Sequence, residues 1–403
     1  MIHKIVVENF FSIADSQELV FKVARNVPDL DCFKATRSDQ DVRVPAVIGF
    51  FGPNASGKST LLRAITSALW CAFYSFGWKG SDQIKINTLF QPYRQKKWWG
   101  RPTKIIIEFD STLGDSEPSV LFRYELHIAH QAGDFNYKFI LYEALSYAPH
   151  GKFRYLFKRK EQKFQFGVEF NIGANDSIKE RIRPNASVLS TLVQFNHPLA
   201  SYFDQMVGNA IRTNAVGHYK MWPLSLSDCL AFYAKDADCF DQLKRELRRF
   251  DLGFESMFIE QGPQGLFAKC QHVGLDDFIF LGEESQGTLR FIELFLHLYF
   301  VLKRGGVVII DEIDTDIHPL LLPELLRWFS DPKRNPHGAQ LLFTAHNPAL
   351  LNELEKEQVF FTVKPSGKPS YVYGARDIQG LRREPNLMRK YLSGELGAVP
   401  HIG

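Results

Sequence analysis

A glycine-rich segment, GPNASGKST, occupies residues 52–60 and matches the phosphate-binding pattern GxxxxGK[ST] at every required position. Glycines in such a loop let backbone N–H groups close around phosphate oxygens at the positive end of a helix. Lys58 could then reach the β- and γ-phosphates of a nucleotide, and Ser59 could offer its hydroxyl to Mg²⁺. A chance glycine turn is the alternative, but the flanking strand and helix patterns favour phosphate binding. The other predicted nucleotide contacts in the loop are Asn54, Gly57 and Thr60.

Two further segments place reactive side chains directly after apolar runs. In VVIIDE the run ends on Asp311 and Glu312; in a nucleotide hydrolase the first acid positions Mg²⁺ through water and the second polarises the attacking water. In LLFTAHN the run leads to His346, which would contact the γ-phosphate if it lies at the carboxyl end of a strand. The alternatives are a strand that leaves the core on polar residues and a histidine with a structural role.

The segment GEESQGTLRFIELF, residues 282–295, places Ser285 and Gly287 just before apolar residues at helical spacing. Ser285 could simply cap that helix, because its side chain can accept free N–H groups there. A helix start that offers N–H groups and a hydroxyl is also an anion site. The structural and functional interpretations are therefore compatible.

The elements that must position these residues follow from apolar spacing. Strands are predicted at 2–8, 46–51, 105–109, 121–128, 139–147, 307–310 and 340–346, and helices at 59–69, 186–250 and 321–329. Alternating strands and helices in the last third predict a mainly parallel α/β sheet with helices on both faces. We predict an N-terminal lobe with a β-rich subdomain (1–185), a helical insert or lid (186–255) and a C-terminal lobe (256–403).

Composition limits the class of protein. Of the 403 residues, 45% are hydrophobic and 23% charged, which is typical of a globular protein, and the net charge of +3 favours no polyanionic partner. Five scattered cysteines and the remaining histidines form no disulfide framework or metal pattern, so a reducing compartment and no structural metal are expected. The N-terminus predicts no signal peptide, and no apolar run approaches the ~20 residues that span a bilayer. We expect a cytoplasmic protein without a membrane partner.

Together the motifs resemble the ABC-type ATPase heads of the SMC and RecF group. The resemblance rests on NFFSI (9–13), the phosphate-binding loop, ESQGTLR (284–290), VVIIDEIDTDIHP and FTAHN. It implies a P-loop NTPase that hydrolyses ATP with Mg²⁺ and forms a head-to-tail dimer or a higher oligomer. Ser285 and Gly287 would then contact ATP bound to the partner subunit's loop. Gln91 would be the loop glutamine that senses Mg²⁺, with a polar surface residue as the alternative.

Two departures from that group refine the resemblance. Glu284 stands where a leucine is common, and Glu312 is followed by IDTDIHP, a form similar to stand-alone AAA/ABC-like ATPases of bacterial defence islands, including relatives of the OLD nucleases. The resemblance places Asp314, Asp316 and His318 at the dimer seam without settling their roles. The C-terminal MRKYLSGELGAVPHIG resembles the tails of ATPases encoded beside RloB-type partners. Nearby, Asp377 and Arg382–Arg383 could form a partner surface or a solvated loop.

Three functions compete. The favoured one is a nucleotide-driven dimerisation switch that serves as the sensor or regulator of an anti-phage defence system and controls a separate effector. An effector in the same chain is not expected, because the 57 residues after His346 (347–403) hold no convincing carboxylate cluster for a TOPRIM nuclease domain. The alternative is a DNA-repair or recombination ATPase of the SMC/RecF type, and a transporter cassette ranks last because of the helical insert.

Basic residues alternate with aromatic ones in two stretches, 93–104 and 152–163. Such mixtures can bind phosphate backbones and stack on bases, so contact with DNA or RNA is one interpretation. Lysines on exposed strand edges, which block edge-to-edge pairing, are the other.

Overall fold

The computed structural model describes residues 1–77, 89–115, 117–131, 134–170, 172, 176–214, 225–250, 253–263, 265–383 and 386–399. The strands are β1 (Ile2–Glu8), β2 (Gln17–Val20), β3 (Phe33–Ala35), β4 (Arg43–Pro45), β5 (Val47–Phe51), β6 (Thr103–Ser111), β7 (Val120–Gln131), β8 (Asp134–Ala148), β9 (Arg154–Lys160), β10 (Lys163–Phe166), β11 (Ile211–Thr213), β12 (Phe254–Gly262), β13 (Gly265–His272), β14 (Ile279–Phe280), β15 (Val307–Ile310), β16 (Gln340–Thr344), β17 (Val359–Val363) and β18 (Tyr371–Gly374). The helices are α1 (Lys58–Tyr74), α2 (Asp176–Arg181), α3 (Val188–Gln194), α4 (Pro198–Ala210), α5 (Leu226–Tyr233), α6 (Ala237–Phe250), α7 (Gln286–Arg304), α8 (Leu322–Ser330) and α9 (Leu387–Leu392).

A six-stranded sheet in the order β11-β15-β16-β5-β17-β18 forms the centre of the fold, and only β18 runs antiparallel to its neighbour. Every residue of β5, β15 and β16 is buried. Such uninterrupted apolar strands are stable only when helices cover both faces of the sheet. The predicted parallel α/β sheet is therefore confirmed.

Alternate residues of the central strands enter two different cores. In β15, Val308 and Ile310 join a core with residues of α7 and α8, whereas Val307 and Ile309 join the core that contains α1. This follows from the two-residue period of a strand, which sends successive side chains to opposite faces. The short run VVII thereby ties together the two halves of the molecule.

A seven-stranded antiparallel sheet, ordered β10-β9-β8-β7-β6-β1-β2, covers the other side of α1. Its inward residues, including Ile5, Ile107 and Leu126, pack in the same core as Leu61 and Ile65 of the helix. Because α1 lies between two sheets, nearly its whole circumference is apolar, which is typical of a fully buried helix.

The region predicted as helical, 186–250, contains α3, α4, α5 and α6, and also the short strand β11. β11 pairs in parallel with β15, with Ile211 opposite Val307 and Thr213 opposite Ile309, and forms an edge of the central sheet. Three residues carry no measurable period, so spacing alone could not predict this strand. The region thus contributes to the sheet that carries Asp311.

Two smaller sheets complete the fold: β12-β13-β14, which packs against α5 and α6, and the pair β3-β4. In the part of the chain that the structure describes, no helix is both long and apolar enough to cross a membrane.

Candidate nucleotide site

Three neighbouring parallel strands, β5, β15 and β16, end at the same edge of the central sheet. The phosphate-binding loop follows β5, the two acids follow β15, and His346 lies two residues beyond β16. In open α/β sheets this edge is where ligands bind. Residues that are almost 300 positions apart in the sequence are therefore brought to one place.

The loop conformation requires glycine at two positions. Gly52 and Gly57 have φ angles of 147° and 108°, a region that side-chain-bearing residues rarely occupy. A Cβ atom on Gly52 would lie 2.2 Å from the carbonyl oxygen of Thr362, and one on Gly57 would lie 2.8 Å from Ser370 Oγ. Both glycines are thus fixed by the backbone and by close packing, and α1 begins at the next residue, Lys58.

Lys58 is buried inside the loop. Its Nζ donates to the carbonyl oxygens of Gly52 at 2.8 Å and Pro53 at 3.1 Å. Burial lowers the pKa of Lys58, while the nearby carboxylates of Asp311 and Glu312 raise it. Among the described residues this ammonium group donates hydrogen bonds only to main-chain carbonyls, so a phosphate oxygen could take their place as a charged partner.

Asp311 is the centre of a polar cluster. Its Oδ1 accepts hydrogen bonds from Ser59 Oγ at 3.0 Å and from Thr344 Oγ1 at 2.6 Å. Its main chain is held on the other side by Asn214, which accepts from the Asp311 N–H at 2.7 Å and donates to the Asp311 carbonyl at 3.0 Å. A hydroxyl and a carboxylate oxygen side by side are donors that Mg²⁺ prefers, so Ser59 and Asp311 fit that ion.

Glu312 and His346 face each other across the open side of the edge. The Glu312 Oε1 to His346 Nε2 distance is 3.8 Å, and both side chains are exposed. Glu312 has a left-handed φ of 53°, and its N–H donates to Thr344 Oγ1 at 2.7 Å. This bond holds an unusual backbone conformation at a position where the side chain can reach a water molecule.

Asp314 and His318, which follow Glu312, accept hydrogen bonds from nearby backbone N–H groups. Asp314 Oδ2 accepts the N–H groups of His346 at 2.8 Å and Asn347 at 2.7 Å, so it fixes the turn that carries the histidine. Asp316 has a φ of 60°. His318 Nδ1 accepts the N–H of Leu320 at 3.2 Å.

Gln91 is connected to the start of α1 through Phe11 and Ser12. The carbonyl of Gln91 accepts from the Phe11 N–H at 2.8 Å. The residue after Phe11, Ser12, hydrogen-bonds through Oγ with Thr60 Oγ1 at 3.2 Å. The backbone of Gln91 is therefore one residue removed from a contact with the phosphate-binding loop. Asn54 is exposed on the outer surface of that loop.

Ser285 is the N-cap residue of α7. Its Oγ accepts the Thr288 N–H at 3.1 Å and hydrogen-bonds with Thr288 Oγ1 at 2.8 Å, and Ser285 itself is exposed. A Cβ on Gly287 would lie 2.7 Å from the carbonyl oxygen of Asp316. The helix start therefore packs against the segment that follows Glu312 in the same chain.

A profile of the protein family described as "AAA domain, putative AbiEii toxin, Type IV TA system" matches residues 47–352, which contain every site residue named above except Phe11, Ser12, Thr362 and Ser370. The chain belongs to this AAA family. No curated protein sequence matches it. The match includes the phosphate-binding loop, both acids and His346, so this AAA protein is a P-loop ATPase.

Solved SMC heads are similar to this AAA protein over nearly its whole length, at low identity. The SMC head domain from Thermotoga maritima has 13% identity and a TM-score of 0.42, covering 93% of this chain and 98% of that one. An Smc head bound to the C-winged helix domain of ScpA has 12% identity and a TM-score of 0.43, covering 92% of this chain and 96% of that one. An Smc head with an extended coiled coil, bound to the C-terminal domain of ScpA derived from Pyrococcus furiosus, has 13% identity and a TM-score of 0.44. The match covers 92% of this chain and 95% of that one.

Sequence patterns left several residues of the AAA site without a role. Thr344 lies within the FTAHN motif and Ser12 within NFFSI, so both motifs contained a signal that was not assigned. Asn214 lies 97 residues from Asp311 in sequence, after a three-residue strand, and carries no such signal. Arg383, in contrast, is paired within the chain with Glu357 at 2.6 Å, which favours a structural role for that residue.

Proposed function

We propose that this chain binds and hydrolyses ATP, and that ATP closes a head-to-tail dimer whose state controls a separate effector. The observation that carries the proposal is the cluster around Asp311, where Ser59 and Thr344 converge within 3.0 Å beside the buried Lys58. A site of this kind is organised before its substrate arrives, which is the condition for electrostatic stabilisation of phosphoryl transfer.

The roles follow from the chemistry of each group. Lys58 would bind the β- and γ-phosphates, with Gly57, Thr60 and the loop N–H groups around them. Ser59 and Asp311 would hold Mg²⁺, with Gln91 as a further ligand; the bound ion neutralises charge on the phosphates. Glu312 would accept a proton from the attacking water.

His346 would donate a hydrogen bond to the γ-phosphate. Asp314 fixes the turn that carries His346 through two backbone hydrogen bonds, which holds the imidazole near Glu312. The 3.8 Å between the two side chains leaves them free to contact substrate and water separately.

The dimer proposal depends on the exposed start of α7. Ser285 and Gly287 present a hydroxyl, backbone N–H groups and the positive end of a 19-residue helix, which together suit an anion. We propose that this anion is the γ-phosphate of ATP held by the partner subunit. Contact between Gly287 and the Asp316 backbone would pass closure of the dimer to the segment beside Glu312.

The proposed setting is a cytoplasmic anti-phage defence system. The family description names a toxin of a type IV TA system, which supports an action together with another gene product. The segment IDTDIHP and the C-terminal tail, through their resemblance to defence ATPases, support the same setting. In it the chain would act as sensor or regulator, and the effector would be a separate protein.

The alternative, an ATPase acting on DNA, has one observation in its favour. Exposed Tyr155 carries Lys158 over its ring at 5.2 Å, in a strand of the basic β9-β10 hairpin. In the other basic stretch the ring of Trp98 is buried and Arg101 stacks on it, which makes that stretch a packing feature. DNA-stimulated turnover that falls steeply with salt would favour this alternative.

The proposed function is tested by Glu312→Gln, which keeps the shape of the side chain and removes the base. We expect phosphate release to fall by about 100-fold or more, because general base catalysis typically contributes 10²–10⁴-fold. ATP binding should persist, and light scattering should detect a dimer that forms only with ATP. Glu18→Gln, an exposed change on β2, is the matched control. Unchanged phosphate release in Glu312→Gln would contradict the proposed role of Glu312 as the general base.

A further inference from the structure

The small sheet β12-β13-β14 exposes an apolar face. Phe258, Phe278 and Phe280 are 46%, 45% and 53% exposed, and Val273 and Leu275 in the adjoining turn are 72% and 46% exposed. Eleven large hydrophobic side chains are exposed in the described part of the chain, so almost half of them lie here. Single exposed apolar residues are ordinary, whereas a contiguous group marks a binding surface.

The pleat of the sheet sets this exposure. Phe258, Lys269 and Phe280 lie directly opposite one another across the three strands, while the alternate positions Met257 and Cys270 are buried in the core. The aromatic side chains also contact each other. Phe258 and Phe278 pack edge to face at 5.7 Å, and the Lys269 ammonium lies over Phe267 at 5.4 Å and Phe278 at 5.9 Å. The surface is therefore ordered and continuous.

The segment that carries the aromatic residues is also rich in exposed carboxylates. Between residues 254 and 283 the chain carries five acidic residues (Glu255, Glu260, Asp276, Asp277 and Glu283) and one lysine. All five acids are exposed, and Lys269 is already paired with Glu260 at 3.0 Å. Arg248 adds a cation at one end, where its Nε donates to the Glu255 carbonyl at 2.8 Å. We call residues Phe258, Phe267, Phe278 and Phe280 with these carboxylates the acidic aromatic face.

The acidic aromatic face is joined to the start of α7. β14 leads directly through a short 3-10 helix, Leu281–Glu283, to Glu284 and Ser285. Glu284 Oε1 lies 2.7 Å from Nε2 of His272, the last residue of β13. The residue before the N-cap serine is thus bonded to the sheet, so a movement of the sheet on ligand binding would be passed to Ser285.

We propose that the acidic aromatic face docks a cationic amphipathic segment of a separate protein, and that docking changes the placement of Ser285. Apolar side chains of the segment would cover the phenylalanines, and its lysines or arginines would meet the carboxylate rim, as charge complementarity requires. The proposed docking depends only on the sheet. The proposed effect on Ser285 also rests on the proposed function, and it makes the controlled partner a protein with a cationic amphipathic segment.

The probe is a fluorescein-labelled synthetic peptide, LKKLLKLLKKLLKL, titrated with the full-length protein without nucleotide and followed by fluorescence anisotropy. We expect saturable binding that weakens about tenfold or more in Phe258→Ser/Phe280→Ser, because buried aromatic side chains contribute most of the binding energy of such interfaces. Leu392→Ser, which removes an equally exposed apolar side chain on α9, is the matched control and should bind as the unaltered protein does. Equal affinity for all three proteins would overturn the proposal.

A second variant tests the charge without changing the apolar surface. Asp276→Asn/Asp277→Asn in the exposed turn should weaken peptide binding, and added salt should weaken binding of the unaltered protein more than that of this variant. A peptide with glutamate in place of every lysine should not bind. Binding of the acidic peptide with similar affinity would also overturn the proposal.

Another copy of this chain is the competing occupant. If Phe258→Ser/Phe280→Ser abolished the ATP-dependent dimer in a Glu312→Gln background but bound the peptide normally, the face would be a dimer surface and the proposal would be wrong. Peptide binding is measured without nucleotide, so the docking proposal can be supported or overturned even if ATP-driven dimerisation does not occur. A change in phosphate release on peptide addition, absent from the phenylalanine variant, supports the link to Ser285.

Discussion

The two halves of the candidate nucleotide site differ in how completely one chain organises them. Around Asp311, Ser59, Thr344 and Asn214 converge from three distant segments, and each makes a hydrogen bond of 3.0 Å or less. At the start of α7, the Oγ of Ser285 is bonded to Thr288, only one helical turn away. The group around Asp311 is thus held by contacts across the fold, whereas the exposed start of α7 is held by hydrogen bonds within its own first turn.

The largest test of this comparison is a mixed dimer. Lys58→Ala alone and Ser285→Arg alone should each leave almost no phosphate release, since neither homodimer keeps an intact composite site. A mixture should recover activity, because the intact loop of the Ser285→Arg subunit meets the intact start of α7 in the other. Phosphate release is measured across mixing ratios. No recovery at any ratio would indicate that Ser285 acts within its own chain or has no role.

The next largest effect is expected on nucleotide affinity. Lys58→Ala removes the buried ammonium, and a hydrogen bond to a charged group contributes about 1.5–3 kcal/mol, so ATP affinity should fall roughly 10- to 100-fold. Isothermal titration calorimetry measures this directly. Ser285→Ala should leave the affinity of the separate subunit unchanged. Equal losses in both variants would contradict the division into two halves.

A smaller effect is expected at Asp314. Asp314→Ala leaves the N–H groups of His346 and Asn347 without their acceptor and loosens the histidine turn. Because neither group is buried, the loss is about 1 kcal/mol for each hydrogen bond. Phosphate release should fall about tenfold while ATP affinity changes little. Asp314→Asn, which keeps a carbonyl acceptor, should recover part of the rate. An unchanged rate in Asp314→Ala would show that the turn holds its position without this residue.

The smallest effect is expected at Asn214. Asn214→Ala removes two backbone contacts to Asp311 but leaves both side-chain bonds of the carboxylate in place. A net loss of about 1 kcal/mol for a typical hydrogen bond corresponds to severalfold weaker Mg²⁺ binding, seen as a higher Mg²⁺ concentration for half-maximal turnover. If half-maximal Mg²⁺ does not move, Asn214 only fastens β11 to the sheet.

Sequence patterns predicted the parts of this site that repeat with a period or match a fixed spacing. The loop at 52–60 and the run ending on Asp311 and Glu312 were predicted, because buried strands and glycine turns have local signatures. The contact between Asn214 and Asp311 was not, since it joins residues 97 positions apart and depends on how β11 packs. The same holds for Gly287 against Asp316, where the requirement for glycine comes from a neighbouring backbone.

The position of α1 between two sheets has a consequence for solution measurements. We expect amide protons in the middle of this helix, around Ile65 and Leu69, to exchange with deuterium only when the domain unfolds, because both residues are buried in the core between the two sheets. Their exchange rates would then report the global free energy of unfolding. Any faster exchange that ATP suppresses must arise elsewhere, so the helix provides an internal reference against which movements of the α7 segment can be timed.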